Sequence, residues 1–219
     1  GIEEISKYAD GNLENGEANF PFLAANIINT ATNKKLPWTK EYVIVENNGF
    51  KVGIIGAIGQ GLESSIISDK VSGYKFLDPV PIVSKLSALL RTEHNCDVVI
   101  VAIHDYNNYT NSRLSSLSGI NRIDGIVCGH THQQISEYEY REDNYQVPVL
   151  QSYTKNRSVG EMIISLDASN QVVNGLMRHY DPALYNDDQD VLSIIDNYAE
   201  DIAAGNREIG YTVEDLSRY

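Results

Sequence analysis

One stretch decides how this 219-residue chain is interpreted, DGIVCGHTH at residues 124–132. Its apolar part, Ile126–Cys128, is typical of a short buried strand, and polar residues follow directly after it. A second apolar run, Val98–Ile103, ends in the same way, in His104. Functional polar side chains just past the carboxyl ends of buried strands are typical of an α/β sheet. The pattern therefore predicts an α/β fold with histidines gathered at one sheet edge.

Three of the five histidines are candidate metal ligands, namely His104, His130 and His132. In an extended segment, residues i and i+2 point to the same side, so His130 and His132 are expected to face one cavity while Thr131 faces away. Gly129 allows a sharp turn after the strand. Imidazole suits zinc, iron and manganese. Two arrangements stay open on the residues alone: a two-metal site, or a single zinc with three imidazoles and a water.

The other histidines and two carboxylates fit structural or surface roles better. His94 lies in a polar loop and His179 at a strand end, where a histidine is usually a solvated polar residue. Asp105 follows His104 directly and is expected to point away from it on an extended backbone. Asp124 precedes its strand and is expected at the opposite end from the histidines. A structural role is favoured for both aspartates, and a role as a replacement metal ligand is the alternative for each.

The composition is that of a globular protein, with 42% hydrophobic and 21% charged residues. A net charge of −13 argues against a surface for nucleic-acid polymers. The negative net charge does not exclude a small anionic substrate, because a bound dication can reverse the local electrostatic field. No apolar run approaches the roughly 20 residues of a membrane span, and no signal-peptide pattern is found. Cys96 and Cys128 lie in or beside apolar runs and are predicted to be buried free thiols, with a disulfide between neighbouring strands as the alternative.

Hydrophobic periodicity predicts the elements around this sheet edge. Before the histidines we predict a helix tail over residues 1–10, strands at Phe22–Ile27, Tyr42–Val45 and Lys51–Gly56, and helices at Ser64–Val71, Ile82–Thr92 and Asn111–Leu117. After them we predict four strands in a meander, at Ile135–Tyr140, Val147–Ser152, Val159–Leu166 and Gln171–Tyr180, and an amphipathic helix at Asp187–Ala204. The Asn-Gly pair at 48–49 predicts a hairpin turn.

Residues 124–132 resemble the last metal-binding motif of the calcineurin-like metallophosphoesterases. The chain is similar in particular to the bacterial 5′-nucleotidase and 2′,3′-cyclic-nucleotide 2′-phosphodiesterase branch. Supporting motifs are FPFLAANI at 20–27, KVGIIG at 51–56 and DVVIVAIH at 97–104, and the resemblance runs from about residue 1 to 167. It implies an α/β fold, namely part of a two-sheet α/β/β/α sandwich followed by a linker helix.

The resemblance also implies a site with two divalent metal ions, zinc, manganese or iron. His104 and His130 would bind one ion and His132 the other. The family's remaining ligands and its general-acid histidine belong to motifs expected upstream of Gly1, so no catalytic residue is expected in this chain. Asn26 does not replace the family's asparagine ligand, because its Ala-Ala-Asn-Ile context matches a later structural strand.

Three segments follow from the resemblance: 1–181 as the C-terminal portion of the phosphoesterase domain, 182–206 as a connecting helix, and 207–219 as the start of a nucleotide-recognition domain. The implied function is that of a secreted hydrolase, in the extracellular space, cell wall or periplasm, acting on a nucleotide or cyclic nucleotide. The chain is expected to be an incomplete part of that enzyme, inactive alone, with an open strand edge that pairs with the missing N-terminal half or self-associates. The alternative is a degenerate, non-catalytic binding module of the same fold.

Overall fold

A computed structural model describes residues 2–9 and 18–205, with side chains through residue 199. The chain divides into two units, Gly1–Tyr180 and Asp181–Tyr219. Its described strands are β1 (Ile27–Asn29), β2 (Lys34–Lys35), β3 (Tyr42–Asn47), β4 (Phe50–Ile58), β5 (Tyr74–Phe76), β6 (Val98–His104), β7 (Gly125–Cys128), β8 (Ile135–Tyr140), β9 (Gln146–Gln151), β10 (Val159–Leu166) and β11 (Val172–Tyr180). Its described α-helices are α1 (Ile2–Ser6), α2 (Ser68–Val71), α3 (Pro79–Thr92), α4 (Asn108–Ser115) and α5 (Gln189–Gly205). The predicted α/β class is confirmed.

The main sheet has six strands in the order β3-β4-β6-β7-β9-β8. The four inner strands run parallel, and the edge strands β3 and β8 are antiparallel to their neighbours. In the register, Ile58 pairs with His104, and Ile103 pairs with Cys128. The carboxyl ends of β4, β6 and β7 therefore meet at one edge, where the histidine motifs begin.

Helix α3 packs on this sheet through an apolar face. Asp78 caps the helix by accepting a hydrogen bond from the Val80 amide at 3.1 Å, and Pro79 occupies the first turn, where it costs no hydrogen bond. Leu90 is fully buried and lies directly over Gly53 of β4. The sequence therefore builds a core in which a long helical side chain fills the space left by a strand glycine.

The β3–β4 hairpin confirms the predicted Asn-Gly turn. Asn47 pairs with Phe50, which leaves Asn48 and Gly49 as the two loop residues. Both have positive φ, 52° and 81°. This conformation is the one that a type I′ hairpin turn requires and that asparagine and glycine tolerate best.

Two strand predictions need correction. The predicted four-strand meander is wrong, because β9 pairs in parallel with β7 inside the main sheet, while β10 and β11 form a separate two-stranded sheet. Burial of Val147 and Val149 explains the placement of β9. The predicted strand Phe22–Ile27 is replaced by a single bridge at Leu23 and by β1. Its Asn26 side chain is fully buried, and it bonds the backbones of Ile58 and Leu77.

The second unit contains α5, which confirms the helix predicted over Asp187–Ala204. Its residues Val191, Ile194, Ile195 and Tyr198 are all more than half exposed. The segment 207–219, predicted to begin a nucleotide-recognition domain, lies outside the described residues. No helix in the described part of the chain is both long and apolar enough to cross a membrane.

Candidate metal centre

The sheet places His104 beside the loop that follows β7. His104 ends β6, and the backbone around it is tied to both neighbouring loops: the Gly59 amide donates to its carbonyl at 3.3 Å, and the Gly129 amide donates to the Asp105 carbonyl at 3.4 Å. A β-carbon at Gly129 would lie 3.2 Å from His104 Nδ1. The glycine therefore leaves the space in which the His104 ring sits.

His104 and His130 form a close pair of imidazoles. Nε2 of His104 lies 3.3 Å from Nδ1 of His130, and the ring centroids are 5.1 Å apart with an interplanar angle of 75°. Two imidazole nitrogens bound to one tetrahedral zinc at about 2.0–2.1 Å are themselves about 3.3 Å apart. The same 3.3 Å separation also allows a hydrogen bond between the two rings, so the distance is compatible with a direct contact as well as with a shared ion.

The expected extended geometry of the motif is wrong. His130 and His132 have φ values of 80° and 59°, in the left-handed region that non-glycine residues rarely adopt. The Thr131 amide donates to the Gly129 carbonyl at 3.1 Å, which closes a tight bend in place of a strand. Such strained conformations persist where the surrounding structure enforces them, and they cluster at functional sites.

His132 does not join the pair as a third ligand of one ion. It lies near enough for its charge to lower the pKa of His104, yet in the described residues no group of three or more His, Cys, Asp or Glu side chains converges on an ion position. The structure thus brings His104 and His130 together and leaves His132 separate. Partial burial is the first cause of the lowered His104 pKa, with His130 second. A lowered pKa favours the neutral imidazole that binds metals.

Gln151 supports the bend and was missed by the sequence reasoning. This side chain is 2% exposed at the end of β9, and its amide donates to Thr131 Oγ1 and to the Gln133 carbonyl, both at 2.8 Å. One signal in the sequence was available, because Gln151 ends the apolar run Val147–Leu150. A polar residue there points to a specific buried partner.

The two aspartates differ in their distance from the histidine pair. A β-carbon built on Gly59 would lie 2.5 Å from Asp105 Oδ2, so this carboxyl packs against the end of β4. Burial raises the pKa of Asp105, while the nearby charges of His130 and His104 lower it, so this carboxyl lies close to the pair. Asp124 is fully buried at the start of β7, where it accepts bonds from Arg91 Nη2 at 2.6 Å and from the Val99 amide at 2.8 Å. Asp124 therefore forms a structural ion pair with Arg91, at the end of the sheet opposite the histidines.

The remaining histidines have local hydrogen-bond partners. His94 Nε2 lies 2.9 Å from the Tyr42 hydroxyl. His179 lies 3.0 Å from the Ser158 hydroxyl through Nδ1 and 2.9 Å from the Ser136 hydroxyl through Nε2. Both rings therefore have structural roles apart from the His104–His130 pair.

Solved structures of known phosphoesterases are similar to this chain. A 5′-nucleotidase precursor from Thermus thermophilus aligns with a TM-score of 0.73 at 19% identity, covering 91% of this chain and 40% of that one. The calcineurin-like phosphoesterase YfkN from Bacillus subtilis aligns with a TM-score of 0.69 at 20% identity, covering 86% of this chain and 64% of that one. The chain has the calcineurin-like phosphoesterase fold. The fold expected from the sequence resemblance is thereby confirmed.

Proteins similar in sequence to this chain include a nucleotidase, a cyclic-nucleotide phosphodiesterase and a cell wall protein. A 5′-nucleotidase of Vibrio cholerae is 28% identical over 128 residues, which are 54% of this chain and 23% of the relative. A 2′,3′-cyclic-nucleotide 2′-phosphodiesterase/3′-nucleotidase of Salmonella typhimurium is 28% identical over 154 residues, 57% of this chain and 23% of the relative. A cell wall protein of Listeria monocytogenes is 23% identical over 168 residues, 69% of this chain and 21% of the relative.

The chain spans about a fifth of the length of these curated relatives. No family model matches it.

Proposed function

We propose that this chain is the closing part of a two-metal phosphoesterase domain that hydrolyses phosphate esters of nucleotides. The observation that carries the proposal is the 3.3 Å approach of His104 Nε2 to His130 Nδ1. This pair lies at the carboxyl edge of a sheet whose fold is that of phosphoesterases. Ligands and substrates of open α/β sheets bind at this edge.

In this proposal His104 and His130 hold one divalent ion, and His132 holds the other. The bound metals would stabilise charge on the phosphoryl group and supply an activated water. The chain's own residues orient the ligands: Gly129 leaves space for the His104 ring, and Gln151 fixes the bend through Thr131. We assign the carboxylate ligands and the general-acid histidine to residues outside the described part of the protein.

An apolar groove supports the assignment of further strands to the domain. A cavity of about 490 Å³ lies between the main sheet and β10, lined by apolar residues that include Val52, Val98, Ile100, Val127 and Met162. In the described residues β10 pairs with β11 alone, so its second edge is open. We propose that the rest of the phosphoesterase domain fills this groove and pairs with β10. A stable homodimer of this chain in gel filtration would instead favour self-association.

The proposed substrate class and cellular location rest on the names of the relatives. Nucleotidase and cyclic-nucleotide phosphodiesterase relatives favour a nucleotide or cyclic nucleotide, and the cell wall relative favours a site outside the cytoplasm. Within this proposal, residues 1–181 belong to the phosphoesterase domain, 182–206 to a connecting helix and 207–219 to the next domain. The non-catalytic alternative has no specific observation in its favour.

Metal titration of the chain tests the ligand assignment. We expect calorimetry with Zn²⁺ or Mn²⁺ to detect weak binding that His104→Ala reduces by about tenfold or more, since half of the paired site is lost. The matched control His94→Ala removes a histidine outside the pair and is expected to bind metal like the parent chain. Equal binding by His104→Ala and the parent would contradict the assignment.

Hydrolysis assays test the proposed activity. With metal added, we expect little or no release of phosphate from AMP by this chain alone, because in the described residues no group of three or more His, Cys, Asp or Glu side chains forms a metal site. In the whole protein, His130→Ala is expected to lower kcat by roughly two orders of magnitude or more. Full turnover by the whole protein carrying His130→Ala would overturn the proposed function.

A further inference from the structure

A second cavity, which is polar, lies at the end of the main sheet opposite the histidines. Its volume is about 480 Å³, and its lining includes Arg122, Arg141, Asp143, Asn144 and Gln171. Arg122 comes shortly before β7, while Arg141 to Asn144 form the turn between β8 and β9. These residues therefore lie at the amino end of the strands whose carboxyl ends lead to the His104–His130 pair.

Arg141 is a rigid wall of this cavity. It is 5% exposed, and its Nη1 donates to the Ile123 carbonyl at 2.7 Å. Nε and Nη2 both bond the Asp143 carboxylate at 2.9 Å. The guanidinium also lies over the Tyr145 ring, 4.9 Å from its centroid. A buried guanidinium fixed by four contacts is preorganised, so little conformational entropy is lost when it meets a ligand.

Arg122 differs because its charge has no carboxylate partner. Its Nη1 donates to the Gly119 carbonyl at 3.0 Å and its Nη2 to Gln171 Oε1 at 3.4 Å, both neutral acceptors. In the described residues no ion pair includes Arg122, whereas Arg91 nearby is paired with Asp124. Burial, and then repulsion by Arg91, lower the pKa of Arg122. The carboxylates of Asp124 and Asp143 act on Arg122 without a direct ion pair and partly offset these effects. A half-buried cation with no directly bonded counter-ion is energetically costly, and a bound anion would reduce that cost.

The net charge of the cavity lining favours binding of an anion that has several oxygen atoms able to accept hydrogen bonds. Two guanidinium groups and one carboxylate line the cavity, so it carries one net positive charge in a chain of net charge −13. Asn144 adds a neutral side-chain amide from the same turn as Arg141. Gln171 comes from a third segment, where its amide nitrogen donates to the Ser169 carbonyl and its oxygen accepts from Arg122, both at 3.4 Å. Donors from the Arg122 segment and from the Arg141–Asn144 turn can reach different oxygens of one tetrahedral oxyanion, and guanidinium groups bind phosphate oxygens well.

We propose that this cavity binds a small oxyanion of the phosphate class, with Arg122 as its main charged contact and Arg141 as its rigid support. The site is distinct from the His104–His130 pair and does not depend on the proposed function. It provides a second anion-binding position at the opposite edge of the same sheet.

Phosphate titration of metal-free chain tests the proposal. The chain is freed of metal with a chelator, which is then removed, so that bound metal at the histidines cannot hold the anion. We expect inorganic phosphate to bind by calorimetry, and Arg122→Gln to weaken binding by about tenfold or more, as expected when a charge-assisted hydrogen bond is lost. Arg178→Gln, which removes an exposed guanidinium outside the cavity, is the matched control and is expected to bind like the parent chain.

A chemical-shift map of the parent chain keeps the test independent of how the variant folds. Phosphate is expected to move the amide signals of residues 119–122, 141–145 and 171–173, and to leave 129–133 unchanged. Equal phosphate affinity of Arg122→Gln and Arg178→Gln overturns the proposal. Shifts concentrated at 129–133, or no binding by the parent chain, overturn it as well.

Discussion

The side-chain amide of Gln151 donates to Thr131 Oγ1 at 2.8 Å and so links the end of β9 to the bend that carries His130 and His132. Thr131 lies between the two histidines in sequence, and both histidines have left-handed backbone angles. The contact explains how a costly conformation is held in place, since a buried amide that loses its partners would itself be destabilising.

Gln151→Leu is expected to weaken metal binding by about 10–100-fold, because partners that orient metal ligands have effects of that size. Calorimetric titration with Zn²⁺ measures the change. Gln146→Leu is the matched control, since Gln146 lies on the same strand but is exposed and bonds only the Tyr140 hydroxyl among the contacts described. Unchanged metal affinity in Gln151→Leu would show that the bend is held without this contact.

Arg91→Met is expected to lower the free energy of unfolding by about 3–5 kcal/mol, because it leaves the Asp124 carboxylate buried without its counter-ion. The Arg91 side chain is 8% exposed and that of Asp124 is 0% exposed. Urea denaturation measures the loss. Lys85→Met on the exposed face of the same helix is the control, with an expected change within about 0.5 kcal/mol. A loss below 1 kcal/mol in Arg91→Met would refute the importance of this pair.

Gly56→Ala is expected to destabilise the protein by about 2–3 kcal/mol, through overpacking against backbone that cannot move aside. The new β-carbon would overlap Cβ of Leu23 and lie 3.1 Å from its carbonyl carbon. Gly53→Ala is the comparison, because its nearest neighbour is the flexible Leu90 Cδ1, at 2.7 Å. Thermal melts of both variants give the ranking, and equal melting temperatures would contradict it.

The thiols of Cys96 and Cys128 are expected to resist modification in the native chain, as both are free and less than 10% exposed. Burial also raises the pKa of Cys96, so little reactive thiolate forms near neutral pH. A colorimetric disulfide reagent at pH 7.5 should label neither thiol in buffer and both in urea. Rapid labelling of the native chain would show that the loop before β6 or strand β7 opens readily.

Local features of the site were predictable from the sequence. The apolar runs before His104 and His130 predicted two buried parallel strands, and parallel strands present their carboxyl ends at one edge. The proximity of these two rings therefore follows from strand pattern and topology. The backbone angles of His130 and His132 were not predictable, since the bend depends on contacts with Gln151, about 20 residues further along the chain.

The position of β9 shows a similar limit. Its alternation and its distance from β8 are typical of a hairpin, and β8 and β9 do pair antiparallel. Whether β9 also pairs with β7 depends on which strand edges are open for backbone hydrogen bonds, and the periodicity of β9 alone does not contain that information. The cavity of Arg122 and Arg141 arises in the same way, from a turn and a loop that meet only after the sheet forms.

The sequence by itself determined the α/β class, most of the helices and strands, and the edge at which the histidines gather, because these depend on periodicity over neighbouring residues. The tertiary structure alone decided the 3.3 Å geometry of the His104–His130 pair, the support of the bend by Gln151 and the unpaired charge of Arg122. Each of these depends on side chains distant in sequence, whose contacts are fixed only when the strands take their order in the sheet.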